Sequence, residues 1–265
     1  MRYKKLYPAV ICFCVFLAAI GLVLGDPSTV LPGLWKIIVT EDALITDYVK
    51  IAGVSAALVN SALVTLVSLL LRLYDADEGT VWVGGADVRT RQRRELSDRF
   101  GVVFQNDTLL AGSIYENISF LRDLPREAVE RAAKTAQAWE FITGMPGGLD
   151  AAVELRGANL SGGQRQRLLV ARALAGRPPV LVLDSADSAL DYRTAAALHA
   201  AIRREFPDIT LVVISERIAS LRRANHILVL EDGRITHQGS HEDLLKCCPR
   251  YGRMAQLQMG EEAAV

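Results

Sequence analysis

LSGGQ, at residues Leu160–Gln164, is the stretch of this sequence that decides the fold. Ser161 is a preferred helix N-cap residue, and the two glycines after it allow another backbone to approach closely. The residues that follow, from Leu168 to Leu174, are mostly apolar helix formers. A helix N-terminus presents free N–H groups and the positive end of the helix dipole, which together favour an anion. The stretch therefore predicts a helix that begins at an anion-binding site.

Two further segments follow this helix in a fixed order. Val180–Asp184 (VLVLD) comes after a Gly-Arg-Pro-Pro breaker and predicts a buried strand that ends in a carboxylate. Ser188–Asp191 (SALD) comes next. In this order and spacing, the three segments resemble the nucleotide-binding domain of an ATP-binding cassette (ABC) transporter of the exporter type. The resemblance extends from about Thr65 to the C-terminal region.

The resemblance implies an α/β fold of the ABC ATPase type, with a mainly parallel sheet, flanking helices and a helical subdomain. We expect strands near residues 101–104, 180–184, 210–215 and 226–230, and a helix over Arg126–Met145. In an intact ABC domain, the strand that enters the phosphate-binding loop lies centrally in the sheet. If Ile51–Leu71 is one continuous helix, that strand is missing, and the incomplete sheet has a gap or an exposed edge.

The resemblance also implies roles for particular residues. Gln105 matches the family's Q-loop glutamine, which touches the magnesium ion and the attacking water. Asp184 matches the Walker B aspartate, which holds Mg²⁺ through water. The residues expected to contact nucleotide are Ser161, Gly162, Gly163, Gln164, Gln105 and Asp191.

The phosphate-binding loop of the family is missing from the sequence. Its pattern G-x-x-G-x-G-K-S should precede Thr65, because backbone amides of that loop cradle the phosphates and its lysine reaches the β- and γ-phosphates. Val64 and Leu63 stand at the serine and lysine positions. The glycine positions hold Ala57, Asn60 and Ala62.

Two catalytic positions also depart from the family. Ser185 stands where a glutamate normally polarises the attacking water, and a hydroxyl is not a base near neutral pH without a helper. Glu216 stands where the family usually has a switch histidine that contacts the γ-phosphate. No catalytic residue is therefore intact, and whether the chain is an ATP hydrolase stays open.

The N-terminal residues 1–71 have the composition of a membrane segment. The apolar runs at residues 8–25 and 51–71 are each long enough to cross a bilayer core. Basic residues before the first run and after the second favour a cytoplasmic location for both ends. Residues 72–265 would then be an N-terminally truncated nucleotide-binding domain on the cytoplasmic face of the inner membrane.

Other interpretations of these runs remain open. Residues 8–25 have the length of a signal peptide, although Val23-Leu24-Gly25 is a poor cleavage site. Residues 51–71 could be a buried helix of the globular part. Residues 1–64 are also similar to the start of a bacterial multi-pass membrane protein family of unknown function.

ABC domains work as head-to-tail dimers, in which each ATP lies between one subunit's phosphate-binding loop and the other's LSGGQ. The first hypothesis is therefore a degenerate exporter subunit that offers its signature to ATP and Mg²⁺ held by a second ABC subunit in a heterodimer with transmembrane domains. The alternative is a non-catalytic fused or truncated gene product. An intact cis ATPase with an unrecognised loop around Gly53 is a third hypothesis. The formal net charge of +0 does not suggest a nucleic-acid partner.

Overall fold

The computed structural model describes residues 67–77, 79–231 and 234–259, and the backbone of two strands further upstream, Ile37–Thr40 and Val49–Ala52. All these residues belong to one compact unit that begins at Lys36. The apolar run at residues 8–25 lies outside the described residues.

The described part of the chain alternates strands and helices from one end to the other. Its strands are β1 (Ile37–Thr40), β2 (Val49–Ala52), β3 (Thr80–Val83), β4 (Ala86–Asp87), β5 (Phe100–Val103), β6 (Gly112–Ser113), β7 (Ala152–Val153), β8 (Val180–Asp184), β9 (Thr210–Ser215), β10 (His226–Glu231) and β11 (Arg234–Gly239). Its helices are α1 (Arg93–Ser97), α2 (Ile114–Ser119), α3 (Arg126–Thr135), α4 (Trp139–Gly144), α5 (Gly162–Ala175), α6 (Tyr192–Glu205), α7 (Ile218–Leu221), α8 (His241–Cys247) and α9 (Pro249–Met259). Short 3₁₀ turns lie at Val88–Thr90, Gly148–Asp150 and Leu155–Gly157.

A six-stranded sheet forms the centre of the described fold, in the order β11-β10-β1-β9-β8-β5. The pairs β5–β8 and β8–β9 are parallel, whereas β9–β1, β1–β10 and β10–β11 are antiparallel. The expected strands are thus present within one or two residues of their predicted bounds. Four of the six strands, β5, β8, β9 and β10, run in the same direction, as expected of a mainly parallel sheet, whereas β1 and β11 run against them.

The strands β8 and β9 are buried along their whole length. Alternate side chains point to opposite faces of a strand, so Leu181 and Leu183 pack in the large core on one face. Val180 and Val182 pack on the other face together with Val67. Apolar runs of this kind are typical of strands covered by helices on both sides.

The central position of the sheet is filled by β1, which contradicts the predicted gap. Ile37 pairs with Ser215 of β9 and with Val229 of β10, and the pairing continues to Thr40. Both neighbours thereby obtain partners for their backbone N–H and C=O groups, which a buried sheet requires. A segment upstream of the ABC-like region therefore completes the sheet.

The helix expected over Arg126–Met145 is two helices, α3 and α4. Gln137, between them, has a left-handed backbone with φ of 58°. The Ala138 N–H donates to Ala133 O at 2.8 Å, the bond that closes a Schellman motif. This ending normally uses glycine, which explains why the sequence did not indicate it.

The apolar run at residues 51–71 does not begin as a helix. Ile51 and Ala52 belong to β2, which pairs with β3. Residues 53–66 lie outside the described part of the chain, and residues 67–70 are helical. Within the described residues, no helix has both the length and the apolar character needed to span a bilayer.

Removal of β1 should destabilise the sheet, because β9 and β10 would each lose a partner strand. A variant that starts at Glu41 lacks β1, whereas a control variant that starts at Lys36 keeps it. Each buried backbone group left unpaired costs about 1–3 kcal/mol, so the loss should reach several kcal/mol. Thermal unfolding and the soluble yield of the two variants measure the effect. Equal melting temperatures would show that β1 is not integral to the sheet.

Candidate functional site

The predicted helix start at Ser161 is confirmed. The Ser161 hydroxyl accepts a hydrogen bond from the Gln164 N–H at 3.2 Å, and Gln164 Oε1 accepts one from the Ser161 N–H at 2.9 Å. This is a capping box, which fixes the backbone at the start of α5. Helix geometry leaves the amides of Gly162 and Gly163 without an intrahelical acceptor. Ser161 and Gly162 are exposed, so the site is open to an anion from outside.

The start of α5 packs against the loop Asp187–Leu190, which we call the signature-facing loop. A Cβ on Gly163 would lie 3.3 Å from the Ala189 carbonyl oxygen, which is tighter than ordinary contact. A Cβ on Gly162 would lie 3.8 Å from the Ala189 Cβ. The second glycine therefore permits the close approach of the two backbones, while the first is not required for it.

Two arginines donate hydrogen bonds to backbone carbonyl groups around the helix start. Arg165 Nη1 donates to Leu160 O at 2.6 Å. Arg167 Nε donates to Gly163 O at 3.1 Å, and its Nη1 donates to Gln137 O at 2.7 Å. Burial lowers the pKa of Arg167, but a guanidinium stays charged in proteins. These cations add to the positive field of the helix N-terminus.

Gln105 lies on the same groove as the signature glycine Gly162. The groove has a volume of about 250 Å³ and is also lined by Arg156, Ser188 and Ala189. Gln105 lies two residues after the end of β5, and Gly162 begins α5, so two elements far apart in the sequence meet here. The structure thus brings together two of the residues that the sequence predicts for nucleotide contact.

Asp184 and Ser185 stand at the carboxyl end of β8. Asp184 is 1% exposed, and the Ser185 hydroxyl donates to its Oδ1 at 3.2 Å. Ser185 has a left-handed backbone with φ of 54°, and its N–H donates to Ile214 O at 2.8 Å. The described residues contain no cluster of three or more His, Cys, Asp or Glu side chains that could hold a metal ion. Asp184 could contribute one carboxylate to a Mg²⁺ site that is otherwise made of water and phosphate oxygens.

The signature-facing loop is bound to the end of β9. The buried Asp187 carboxylate accepts hydrogen bonds from the Ser215 hydroxyl at 3.3 and 3.4 Å. Arg217 Nη1 donates to the carbonyls of Asp187 and Leu190, and its Nη2 donates to Ser188 O, each at 2.9 Å. No role for Arg217 was predicted from the sequence, although a cation directly after the switch position was a visible signal.

Glu216 lies between β9 and α7, and the C-terminal helix α9 fixes its backbone. Gln258 Nε2 donates to Glu216 O at 2.8 Å, and Gln258 Oε1 accepts a hydrogen bond from the Ile218 N–H at 2.9 Å. The switch position is thereby held in place from both sides by a single amide side chain.

Asp191 serves as the N-cap of α6. Its carboxylate accepts hydrogen bonds from the Thr194 N–H at 2.9 Å and from the Thr194 hydroxyl at 2.7 Å. These bonds lower the pKa of Asp191. The carboxylate therefore stays ionised near neutral pH and orders the chain that follows the signature-facing loop.

The direction of β1 determines what can reach this edge of the sheet. Ligands of open α/β sheets bind outside the carboxyl ends of the strands, where Asp184 and Ser215 lie. β1 runs the opposite way, with Ile37 beside Ser215 and Thr40 beside Val212. The chain therefore leaves β1 at the far edge, and β1 does not lead into a phosphate-binding loop at Asp184.

The ABC transporter family matches residues 64–188. The ATP-dependent lipid A-core flippase of Vibrio parahaemolyticus is 40% identical over 199 residues, which are 74% of this chain. From about residue 65 onward, the chain is an ABC nucleotide-binding domain of the exporter type. The flippase of Pectobacterium atrosepticum is 41% identical over the same share of the chain. Members of this family use ATP and Mg²⁺.

A solved bacterial Atm1-family ABC exporter with ATP bound is also similar. Its TM-score is 0.73 at 29% sequence identity, and the match covers 96% of this chain and 49% of the exporter chain. This chain spans 34% of the length of the two flippases. The comparison thus supports the fold of the domain over most of the described residues.

The N-terminal part matches a second family. A protein family of unknown function (DUF1576) matches residues 26–81, so the two family matches overlap over residues 64–81. The ABC match begins at Val64, which is the last position that the phosphate-binding loop would occupy. The overlap of the two matches therefore begins at the last position of that loop.

Alanine at the two signature glycines should have opposite effects on stability. Gly162→Ala should raise the free energy of unfolding by about 0.5 kcal/mol, because alanine has less freedom to lose in a helix. Gly163→Ala should lower it by about 1 kcal/mol relative to Gly162→Ala, since its Cβ presses on Ala189 O. Urea unfolding of both variants tests this. An equal increase in the free energy of unfolding in both variants would mean that the signature-facing loop moves aside for the added Cβ without cost.

Proposed function

We propose that this chain is a degenerate ABC exporter subunit that contributes its signature, Ser161–Gln164, to ATP held by a partner chain. One observation carries the proposal. The start of α5 keeps a complete capping box and two open glycine amides, whereas the ABC match begins only at the end of the phosphate-binding loop. The chain thus offers half of a composite site.

In this proposal, the nucleotide contacts are made across the dimer interface. The Ser161 hydroxyl and the amides of Gly162 and Gly163 bind the γ-phosphate, and Gln164 fixes the serine. Asp191 and Gln105 border the nucleotide. ATP and Mg²⁺ are supplied with the partner's phosphate-binding loop, and Asp184 and Gln105 contact magnesium only through water.

Hydrolysis in this proposal belongs to the partner's carboxylate. The Ser185 hydroxyl donates a hydrogen bond to Asp184, and a serine hydroxyl is too weak a base near neutral pH to take a proton from water. A Glu216 carboxylate near a phosphate would cost about 4 kcal/mol per unit charge pair at 4 Å for an effective dielectric of 20. Both positions therefore favour a site in cis that does not hydrolyse ATP.

The partners follow from the same arrangement. We place the chain in a head-to-tail heterodimer with a second ABC subunit, joined to transmembrane domains, at the inner membrane with this domain in the cytoplasm. The apolar run at residues 8–25 acts as the membrane segment, whereas residues 37–40 and 49–52 belong to the sheets of the nucleotide-binding domain. Closure of the dimer on ATP then drives transport.

A complementation assay tests the proposal. The partner is an exporter nucleotide-binding domain with an intact phosphate-binding loop and catalytic glutamate, whose own signature serine is replaced by arginine. On its own, this partner cannot form a working site. Addition of the chain should restore ATPase activity at least tenfold, and addition of its Ser161→Arg variant should not, because arginine fills the space of the γ-phosphate.

The assay has a matched control donor. A copy of the partner domain with an intact signature and no phosphate-loop lysine should restore activity and thereby show that one signature is sufficient. If that donor works while the chain and its Ser161→Arg variant give the same rate, the signature has no role in trans.

The overlap of the two family matches favours a second candidate, a non-catalytic product of gene fusion or truncation. Amplification of genomic DNA across codons 55–70 distinguishes a gene fusion that exists in the genome from two genes that were joined incorrectly in the sequence. A continuous product is expected for a real fusion, and the isolated chain should then show no saturable labelling by an ATP analogue. Clear labelling would mean that an unrecognised loop binds nucleotide in cis.

A further inference from the structure

The signature-facing loop lies directly beside the start of α5. A Cβ added to Gly163 would be 3.3 Å from Ala189 O, so the two backbones have no room for a side chain between them. Whatever holds Asp187–Leu190 therefore also holds the glycine amides that the proposed function assigns to ATP.

One side chain makes most of the bonds that fix this loop. The guanidinium of Arg217 donates to the carbonyls of Asp187, Ser188 and Leu190 at 2.9 Å each. The three acceptors lie on one short turn, in which the Leu190 N–H donates to Asp187 O at 3.1 Å. A planar guanidinium presents five donors in a fixed fork, which a lysine ammonium does not.

Arg217 is itself anchored on both sides. Its N–H donates to the Ser215 hydroxyl at 3.1 Å, and that hydroxyl also bonds to the Asp187 carboxylate. The N–H of the next residue, Ile218, donates to Gln258 in α9. The sheet and the C-terminal helix thus fix the backbone from which the guanidinium reaches the loop.

We propose that Arg217 is a positioning residue that holds the signature-facing loop against Gly163 and thereby sets the geometry in which the signature meets ATP. The role of Arg217 toward ATP rests on the proposed function. The hydrogen bonds from Arg217 to the loop lie within this chain and do not depend on a partner. Arg217 itself contacts no phosphate in this arrangement.

The first measurement uses the full chain without a partner. Hydrogen exchange at the amides of Ser188 and Leu190 should become at least tenfold faster in Arg217→Gln, because three carbonyls lose their donors. Arg217→Lys should give an intermediate rate. Arg222→Gln is the matched control, because Arg222 donates to the Tyr192 hydroxyl at 3.2 Å and bonds to none of the loop carbonyls.

The second measurement is the complementation assay, read as the concentration of chain that gives half-maximal ATPase activity. Arg217→Gln should raise this concentration at least tenfold, Arg217→Lys less, and Arg222→Gln not at all. Melting temperatures accompany each variant, and Arg217→Lys carries the test if Arg217→Gln does not fold.

The two proposals fail in different ways. Unchanged exchange and unchanged half-maximal concentration in a folded Arg217→Gln variant would overturn the role of Arg217. If exchange is faster in that variant but the wild-type chain does not restore ATPase activity, Arg217 does fix the loop. The signature's role in trans would then be contradicted.

Discussion

The pairing of β1 with both β9 and β10 is the constraint on which the rest of the structure depends. Without a strand between them, two buried strands would present unpaired N–H and C=O groups in the middle of the sheet, which is more costly than an exposed edge. The pairing satisfies these groups by a segment that runs antiparallel to its neighbours. The fold is completed in this way, but the direction of the strand carries the following chain away from the nucleotide edge.

The Ser185 hydroxyl changes the surroundings of Asp184, the carboxylate expected to hold magnesium through water. Mg²⁺ binds in proteins through one or two carboxylates and several waters, and it dehydrates reluctantly. The Ser185 hydroxyl already donates to Asp184 Oδ1, so it competes with a magnesium-bound water for that oxygen. This competition is consistent with the proposal that the site in cis does not hydrolyse ATP.

The parts of the fold that could be predicted are those specified by local chemistry. The serine N-cap and glycines of α5 and the apolar runs of β8 and β9 each determine their own conformation, and the structure has them where expected. The strand β1 could not be predicted, because three apolar residues and a threonine have no periodicity to separate strand from helix. Its place depends on pairing with residues far away in the sequence. The helix break at Gln137 was missed because a non-glycine residue adopts the left-handed conformation there.

The candidate site divides in the same way. Ser161, Gly162, Gly163 and Gln164 were predicted together because a capping box and a glycine pair are local features. The contact of Gly163 with Ala189 and the three bonds from Arg217 join segments that lie 26 and about 30 positions apart, and no local pattern indicates them. These contacts link the signature to the signature-facing loop, the loop to the end of β9, and β9 to α9 through Gln258. Because every bond in this path lies within the ABC-like region, the geometry of the signature does not require an intact phosphate-binding loop. In the proposed function, this chain therefore presents a formed signature to ATP that is held by a partner.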